Sequence, residues 1–248
     1  MSLIKSKLIK KKLNGYWSII PNSQIHEIMA IAGFDFGIID LEHGTYSFQD
    51  ALESAIAIKS RGMYALIRPS SHDEKEILRC LEIGIDGICI PNVINVEQAK
   101  KIVSFVKYPP LGIRGASGFT RATNYWKEDF YEHSRKSNES LFISVLIESA
   151  EGIKNAKLIS EIDGVDNIYF GTYDIASSMK VNQQDNSLIN NIVINSINDI
   201  KAEVSFGQVC VNKKQLQNLD PRINMVVNGV DCGIILNGAK NAYSGFSS

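Results

Sequence analysis

Short apolar runs rich in β-branched and aromatic residues recur along the chain, each followed by a segment of helical length. The first run is Tyr16–Ile20, closed by Pro21. A helix opens at Ser23, an N-cap residue type, and runs to about Ala32 before Gly33. The pattern repeats with Phe36–Asp40 and a helix over Phe48–Ser60, then Tyr64–Arg68 and a helix opened by Asp73 and closed at Gly84. Gly87–Pro91 follows, with a helix over Asn95–Val106, and then a loop rich in Gly and Pro from Lys107 to Tyr125. The later runs are Phe142–Glu148, Asn167–Phe170, Val204–Val209 and Met225–Val227. Helices extend to about Glu161, begin again at Lys213, and close the chain from about Gly233 to Tyr243; a polar segment, Val181 to Ser187, interrupts the helical region after the sixth run.

Eight apolar runs alternating with helices predict a parallel sheet, because parallel neighbours need crossover connections. The count and the 248 residues predict one (β/α)8 TIM-barrel domain over residues 1–248, since such barrels typically take roughly 250 residues. The competing doubly wound sheet lacks support, because no glycine-rich phosphate loop follows the first run.

Composition adds exclusions. The formal net charge of −1 argues against broad electrostatic binding of nucleic acid. No stretch is apolar enough to span a membrane, and the lysine-rich segment Met1 to Asn14 lacks the apolar run of a signal peptide. That segment is expected to form a short amphipathic helix at the barrel's edge. Cys80, Cys89, Cys210 and Cys232 form no CxxC pair and read as reduced core thiols of a cytoplasmic protein.

In such barrels the chemistry collects at the C-terminal strand ends. Polar residues do collect there. Asp40, Glu42 and His43 end the second run, Arg68 the third and Glu148 the fifth, and Gly171-Thr172-Tyr173-Asp174 follows the sixth. Glu148 and Asp174 are candidate ligands for a hard divalent cation, and equally candidate helix caps. Arg68 suits a carboxylate or an enolate oxygen, or else an ion pair with Asp40 or Glu42. Asp40 could orient and basify the His43 ring as a general base. His26, His72 and His133 have no comparable setting and read as surface residues. Gly171 to Asp174 could present backbone amides to a carboxylate, or simply turn and cap.

These segments resemble the HpcH/HpaI aldolase family, the metal-dependent class II pyruvate aldolases. The resemblance is carried by Phe34-Asp35-Phe36-Gly37-Ile38-Ile39-Asp40-Leu41-Glu42-His43, by Ile67-Arg68-Pro69, and by Gly84-Ile85-Asp86-Gly87-Ile88-Cys89-Ile90-Pro91. It continues through Tyr108-Pro109-Pro110-Leu111-Gly112-Ile113-Arg114-Gly115, Ile147-Glu148-Ser149, Gly164-Val165-Asp166, Gly171 to Asp174, and Gly229-Val230-Asp231. It spans nearly the whole chain, and the Pro-Pro-x-Gly-x-Arg-Gly loop is its most specific part.

The resemblance implies a carbon–carbon lyase. It would cleave or form a 4-hydroxy-2-oxo acid, with pyruvate or a pyruvate-like 2-oxo acid and an aldehyde as the other side of the reaction, by way of an enolate held at a divalent metal. It implies His43 as base with Asp40 as dyad partner, and Arg68 at the oxo and enolate oxygen. Glu148 and Asp174 would bind Mg2+, Mn2+ or Co2+, and Gly171, Thr172 and Tyr173 would line the carboxylate subsite through backbone groups such as the Tyr173 and Asp174 amides. It also implies a homo-oligomer, a hexamer with the C-terminal helix exchanged between subunits. Alternatives on the same fold are a citrate-lyase-like or decarboxylating enzyme and a non-catalytic ligand-binding barrel. The chain departs from the family where Thr172 and Tyr173 replace the usual proline and alanine, and where Ala176 replaces a serine.

Overall fold

In the computed structural model, residues 3–181, 186–200 and 203–246 are described. Part of the polar segment expected to interrupt the sixth helical region lies outside them. The strands are β1 (Leu13–Ser18), β2 (Phe36–Asp40), β3 (Tyr64–Arg68), β4 (Gly87–Ile90), β5 (Phe142–Ile147), β6 (Asn167–Phe170), β7 (Ser205–Val209) and β8 (Ile223–Val230). They close a parallel barrel in chain order, with β8 pairing back onto β1. The (β/α)8 expectation holds. The first strand starts at Leu13 and the last runs from Ile223 to Val230, so both reach beyond the apolar runs that marked them.

The helices are α1 (Leu3–Leu8), α2 (Ser23–Ile31), α3 (Phe48–Ser60), α4 (Glu74–Glu82), α5 (Val96–Val106), α6 (Phe130–Ser140), α7 (Ala150–Ser160), α8 (Thr172–Ser178), α9 (Asn186–Asp199), α10 (Lys213–Gln217) and α11 (Asp231–Phe246). Side-chain caps set several of their starts. Asn22, Asp73, Asn95 and Ser149 accept from first-turn amides, and Ser47 forms a reciprocal capping box with Asp50. Among the described residues no helix is long and apolar enough to cross a membrane.

Two apolar layers explain why the strands read as continuous apolar runs. Phe36, Ile38, Leu66, Phe142, Leu146 and Tyr169 pack inside the barrel. Ile39, Ile67, Ile88, Ile143, Val145 and Ile168 face the helices. Side chains alternate along a strand, so Asp40, Arg68, Glu148 and Gly171 fall on the inward parity at the C-terminal mouth. The fold thereby gathers residues from four strand ends over one opening.

The short amphipathic N-terminal helix forms as expected, and its apolar face, Ile4 and Leu8, joins the interior cluster. Two expectations need correction. Cys80, Cys89 and Cys210 are buried, but Cys232 is exposed at the start of α11, where the helix turns it outward. His26 is fully buried and His133 nearly so, because each lies on the inner face of its helix. His72 is partly buried, its Nε2 in contact with the Pro91 carbonyl.

Candidate active site

Asp40 and Arg68 are direct register partners at the ends of β2 and β3. Arg68 donates Nε to Asp40 Oδ1 at 2.8 Å and Nη2 to Oδ2 at 2.5 Å, a two-pronged fit of a planar fork to a carboxylate. Both groups are buried. Arg68 also meets Glu42 at 3.1 Å and lies over the Trp17 ring, 4.4 Å from its centroid. Burial works against the Arg68 charge. The Asp40 hydrogen bonds and charge, helped by Glu42 and Glu148, outweigh it and hold its pKa above the ordinary value.

The expected Asp40–His43 side-chain dyad is not the arrangement found. Asp40 Oδ1 accepts from the backbone amides of Glu42 at 3.0 Å and His43 at 3.2 Å. Among the described residues no hydrogen bond joins the His43 ring to Asp40, because the carboxylate is already filled by Arg68 and the turn. The His43 ring is exposed at the mouth. Asp40 therefore shapes the turn that carries His43, acting through its amide.

Across the mouth, Glu148 follows β5 and its Oε1 accepts from the Asn92 amide at 2.8 Å. Asn92 holds a left-handed backbone, φ 46°, a region asparagine tolerates. Burial pushes the Glu148 carboxyl up. The Asn92 hydrogen bond and Arg68 counteract, while the Asp174 and Glu42 charges raise it further, and the balance lies above the ordinary value. Asp174 sits exposed in the first turn of α8, close enough for that charge to be felt.

Gly171 makes room for Glu148. A Cβ there would lie 2.7 Å from Glu148 Cγ and 3.2 Å from Oε2. Its own amide donates to the Ile147 carbonyl at 3.0 Å, so it is committed to the barrel rather than offered to a ligand. The amides of Thr172, Tyr173 and Asp174 open α8 without a side-chain cap. The Ala150 amide donates to Ser178 Oγ at 2.9 Å and ties the far end of α8 to the start of α7.

A family model described as HpcH/HpaI aldolase/citrate lyase matches residues 14–219. The chain belongs to the HpcH/HpaI aldolase/citrate lyase family. It is 34% identical over 164 residues to a pyruvate aldolase of Rhizobium etli, covering 66% of this chain and 64% of that protein. It is 34% identical over 166 residues to a 4-hydroxy-2-oxo-heptane-1,7-dioate aldolase of Salmonella dublin, covering 66% of this chain and 62% of that one. These matches thus span less than two thirds of the relatives' length. A family protein of known structure from Burkholderia cenocepacia superposes with a TM-score of 0.93 over 100% of both chains, at 21% identity, a likeness of fold.

The family's divalent metal can be tested against the residues present. Glu148 and Asp174 supply hard oxygen donors, and their mutual repulsion is the kind a cation relieves. Among the described residues no cluster of three or more His, Cys, Asp or Glu could hold a metal. Two carboxylates would leave the remaining positions to water and substrate, which suits a catalytic rather than a structural site. The residues fit the group.

The family's departures sit at the edge of this arrangement. Tyr173 is half exposed, and Ala176 is buried on the inner side of α8. The signature loop lies elsewhere. Arg114 is buried against Glu82 at 3.2 Å and over the Tyr108 ring at 4.4 Å, between α5 and β5 on the face opposite the mouth. A cavity of about 440 Å³ opens there, lined by Asp86, Arg114, Arg121 and His133 among others, and it includes none of the mouth residues. Its cations already have partners: Lys59 pairs with Asp86, Lys136 with Glu128, and Arg121 with the Ile83 and Gly84 carbonyls.

Sequence reasoning missed Trp17 beneath Arg68 and Asn92 behind Glu148. Trp17 lies inside an apolar run, where an aromatic reads as core. Asn92 follows Pro91 at the end of a run, and a turn asparagine there is a signal that could have been weighed.

Proposed function

We propose that this protein is a divalent-metal-dependent carbon–carbon lyase of the class II aldolase type. It cleaves a 4-hydroxy-2-oxo acid to pyruvate, or a pyruvate-like 2-oxo acid, and an aldehyde, or runs the reverse addition. One observation carries the reading: the strand ends bring Glu148, held at Oε1 by the Asn92 amide, and Arg68, held by Asp40, to one barrel mouth, with Asp174 in the first turn of the helix after β6. The names of the aldolase relatives support the substrate class.

Glu148 and Asp174 would hold the cation, and Mg2+, Mn2+ and Co2+ all suit two carboxylates. The bound cation would supply Lewis acidity at the substrate's carboxylate and 2-oxo oxygens. Arg68 keeps its guanidinium rigid through Asp40 while further N–H groups on its terminal nitrogens remain for oxygen. There it stabilises negative charge as the bond between C3 and C4 breaks and the electron pair moves onto the enolate. His43 accepts the proton of the 4-hydroxyl as the aldehyde carbonyl forms, and that proton is then available to the enolate carbon. The uncapped amides of Thr172, Tyr173 and Asp174 orient the substrate carboxylate. No lysine is needed as an imine-forming nucleophile.

The same reading makes the chain a homo-hexamer that exchanges α11 between subunits, and the exposed Ile235 and Leu236 on that helix support it. It places the protein in the cytoplasm, which suits four free thiols.

Metal-stripped protein is incubated with pyruvate in D2O, and loss of the methyl proton signal is followed by NMR with Mg2+, Mn2+ or Co2+ added. Metal-dependent exchange that vanishes in Glu148→Ala is the expected result. Absence of exchange in folded, metal-loaded protein would reject pyruvate as the donor.

A further inference from the structure

Behind the loop that carries His43 lies a buried polar chain with no place in the chemistry above. Asp231 follows β8 and is fully buried. Its Oδ2 accepts from Ser18 Oγ at 2.9 Å and from the amides of Ile19 at 3.1 Å and Ile20 at 3.0 Å, and its Oδ1 accepts from the Cys232 amide at 2.7 Å. Ser18 Oγ lies 2.7 Å from the Tyr46 hydroxyl, which also reaches the Ile20 carbonyl at 2.8 Å. Tyr46 Oη is 3.5 Å from His26 Nε2, and His26 Nδ1 is 2.7 Å from the Tyr16 hydroxyl.

The hydrogen inventory gives this chain one direction. Asp231 only accepts here, so the single Ser18 hydrogen goes to it. Tyr46 then donates, toward Ser18 or the Ile20 carbonyl, and its oxygen can accept from Ser54 and, at 3.5 Å, from His26 Nε2–H. His26 Nδ1 accepts from Tyr16. Burial keeps His26 neutral, pushing its pKa down to about 4.

The chain ties three strand ends together. Asp231 fixes the end of β1 to the end of β8, and Tyr46 fixes the loop after β2 to the end of β1. That loop is held at two more points: the Thr45 amide donates to the Ile19 carbonyl at 3.3 Å and the Gly44 amide to the Asp40 carbonyl at 3.2 Å. At Gly44 a Cβ would lie 2.3 Å from the Asp40 carbonyl oxygen and 3.2 Å from Ile19 Cα, so the loop lies tight against both strands. His43 stands between the Asp40 anchor and the Tyr46 anchor, its amide bound to Asp40 and its side chain exposed.

We propose that Tyr46, Ser18 and Asp231 are positioning residues that clamp the β2–α3 loop and hold the His43 ring where it exchanges protons with the substrate. The proposal rests on the reading of His43 as the base. It is a clamp on proton transfer: Arg68 is held by the Asp40 carboxylate and Glu148 by the Asn92 amide, so bond cleavage that needs no base should depend on it far less.

Two reactions separate these roles in the full chain loaded with Mn2+. Pyruvate methyl exchange in D2O needs a proton carrier. Oxaloacetate reaches the same enolate by losing CO2, with the carbon–carbon electron pair passing to the enolate and no hydroxyl proton to remove; CO2 release is the readout, and the enolate can take its proton from solvent. Tyr46→Phe and Ser18→Ala should slow pyruvate exchange about tenfold at unchanged KM, while decarboxylation stays near wild type. Amide hydrogen exchange should show lost protection across residues 41–47 in Tyr46→Phe. His43→Ala is the reference: it should lose pyruvate exchange by about a hundredfold or more and keep decarboxylation.

If His43→Ala behaves so but Tyr46→Phe matches wild type in both reactions, or lowers both equally, the clamp is overturned and the base reading stands. If His43→Ala leaves exchange intact, the base reading falls, and the positioning role falls with it. Unchanged protection of residues 41–47 in Tyr46→Phe overturns the clamp whatever the kinetics.

Discussion

At the ends of β2 and β3 the Asp40 carboxylate is buried and receives both prongs of Arg68 and two backbone amides, so its own charge is fully partnered. At the ends of β5 and β6, Glu148 is largely removed from water, has one backbone amide as its hydrogen-bond partner, and feels a second carboxylate. A carboxylate at equivalent strand ends therefore does opposite work. The first half of the mouth is finished within the chain and serves as a rigid anvil. The second half sets two carboxylates where, on the proposed reading, a divalent cation would relieve their repulsion. A carboxylate kept in such a setting costs stability, which is a common mark of a functional site.

The largest effect that would sharpen this contrast is on stability. Asp40→Ala leaves Arg68 buried with only the partly exposed Glu42, and should cost about 3–5 kcal/mol of unfolding free energy. Glu148→Gln, by contrast, should cost nothing measurable in metal-free protein. Urea melts of the two variants check this, and equal losses would break the comparison. A smaller effect is expected at Gly171→Ala. Its Cβ would press on Glu148 Cγ, so divalent-metal affinity should fall about 10- to 100-fold with little change in melting temperature.

The smallest effect is a pH slope. The folded-state pKa of Glu148 lies above its ordinary 4.5, so the folded chain keeps a proton that the unfolded chain releases. The stability this contributes is full below 4.5 and is lost as pH rises through the raised value. His26 acts in the opposite sense. Its folded pKa of about 4 lies below its ordinary 6.5, so its contribution is lost as pH falls from 6.5 toward 4. The difference between wild type and Glu148→Gln isolates the first slope. It should vanish when Mg2+ saturates the wild type, as urea midpoints across the pH range will read.

The barrel was legible because two buried faces make each strand a continuous apolar run, and because the runs alternate with capped helices. The strand-end rule then put Asp40, Arg68, Glu148 and Gly171 on one opening without coordinates. Partner choice was legible only as alternatives. The sequence offered Asp40 to His43, three residues away, or to Arg68, twenty-eight away, and strand register brings it to the arginine. Pairing across the sheet decided between them. His26 was misread because its helix presents it to a polar chain that closes only when Ser18, Tyr46 and Asp231 meet. The Asn92 amide, which binds Glu148, was signalled only by a turn asparagine after Pro91, which marks a turn and not the partner of its backbone.

The most direct test of the uncompensated half is a Mn2+ titration of the metal-free protein, read by electron paramagnetic resonance as loss of the free-ion signal. The account predicts saturable binding that is lost or greatly weakened in Glu148→Gln and in Asp174→Asn, and kept in His43→Ala. Mn2+ binding of equal affinity in wild type and Glu148→Gln would contradict it.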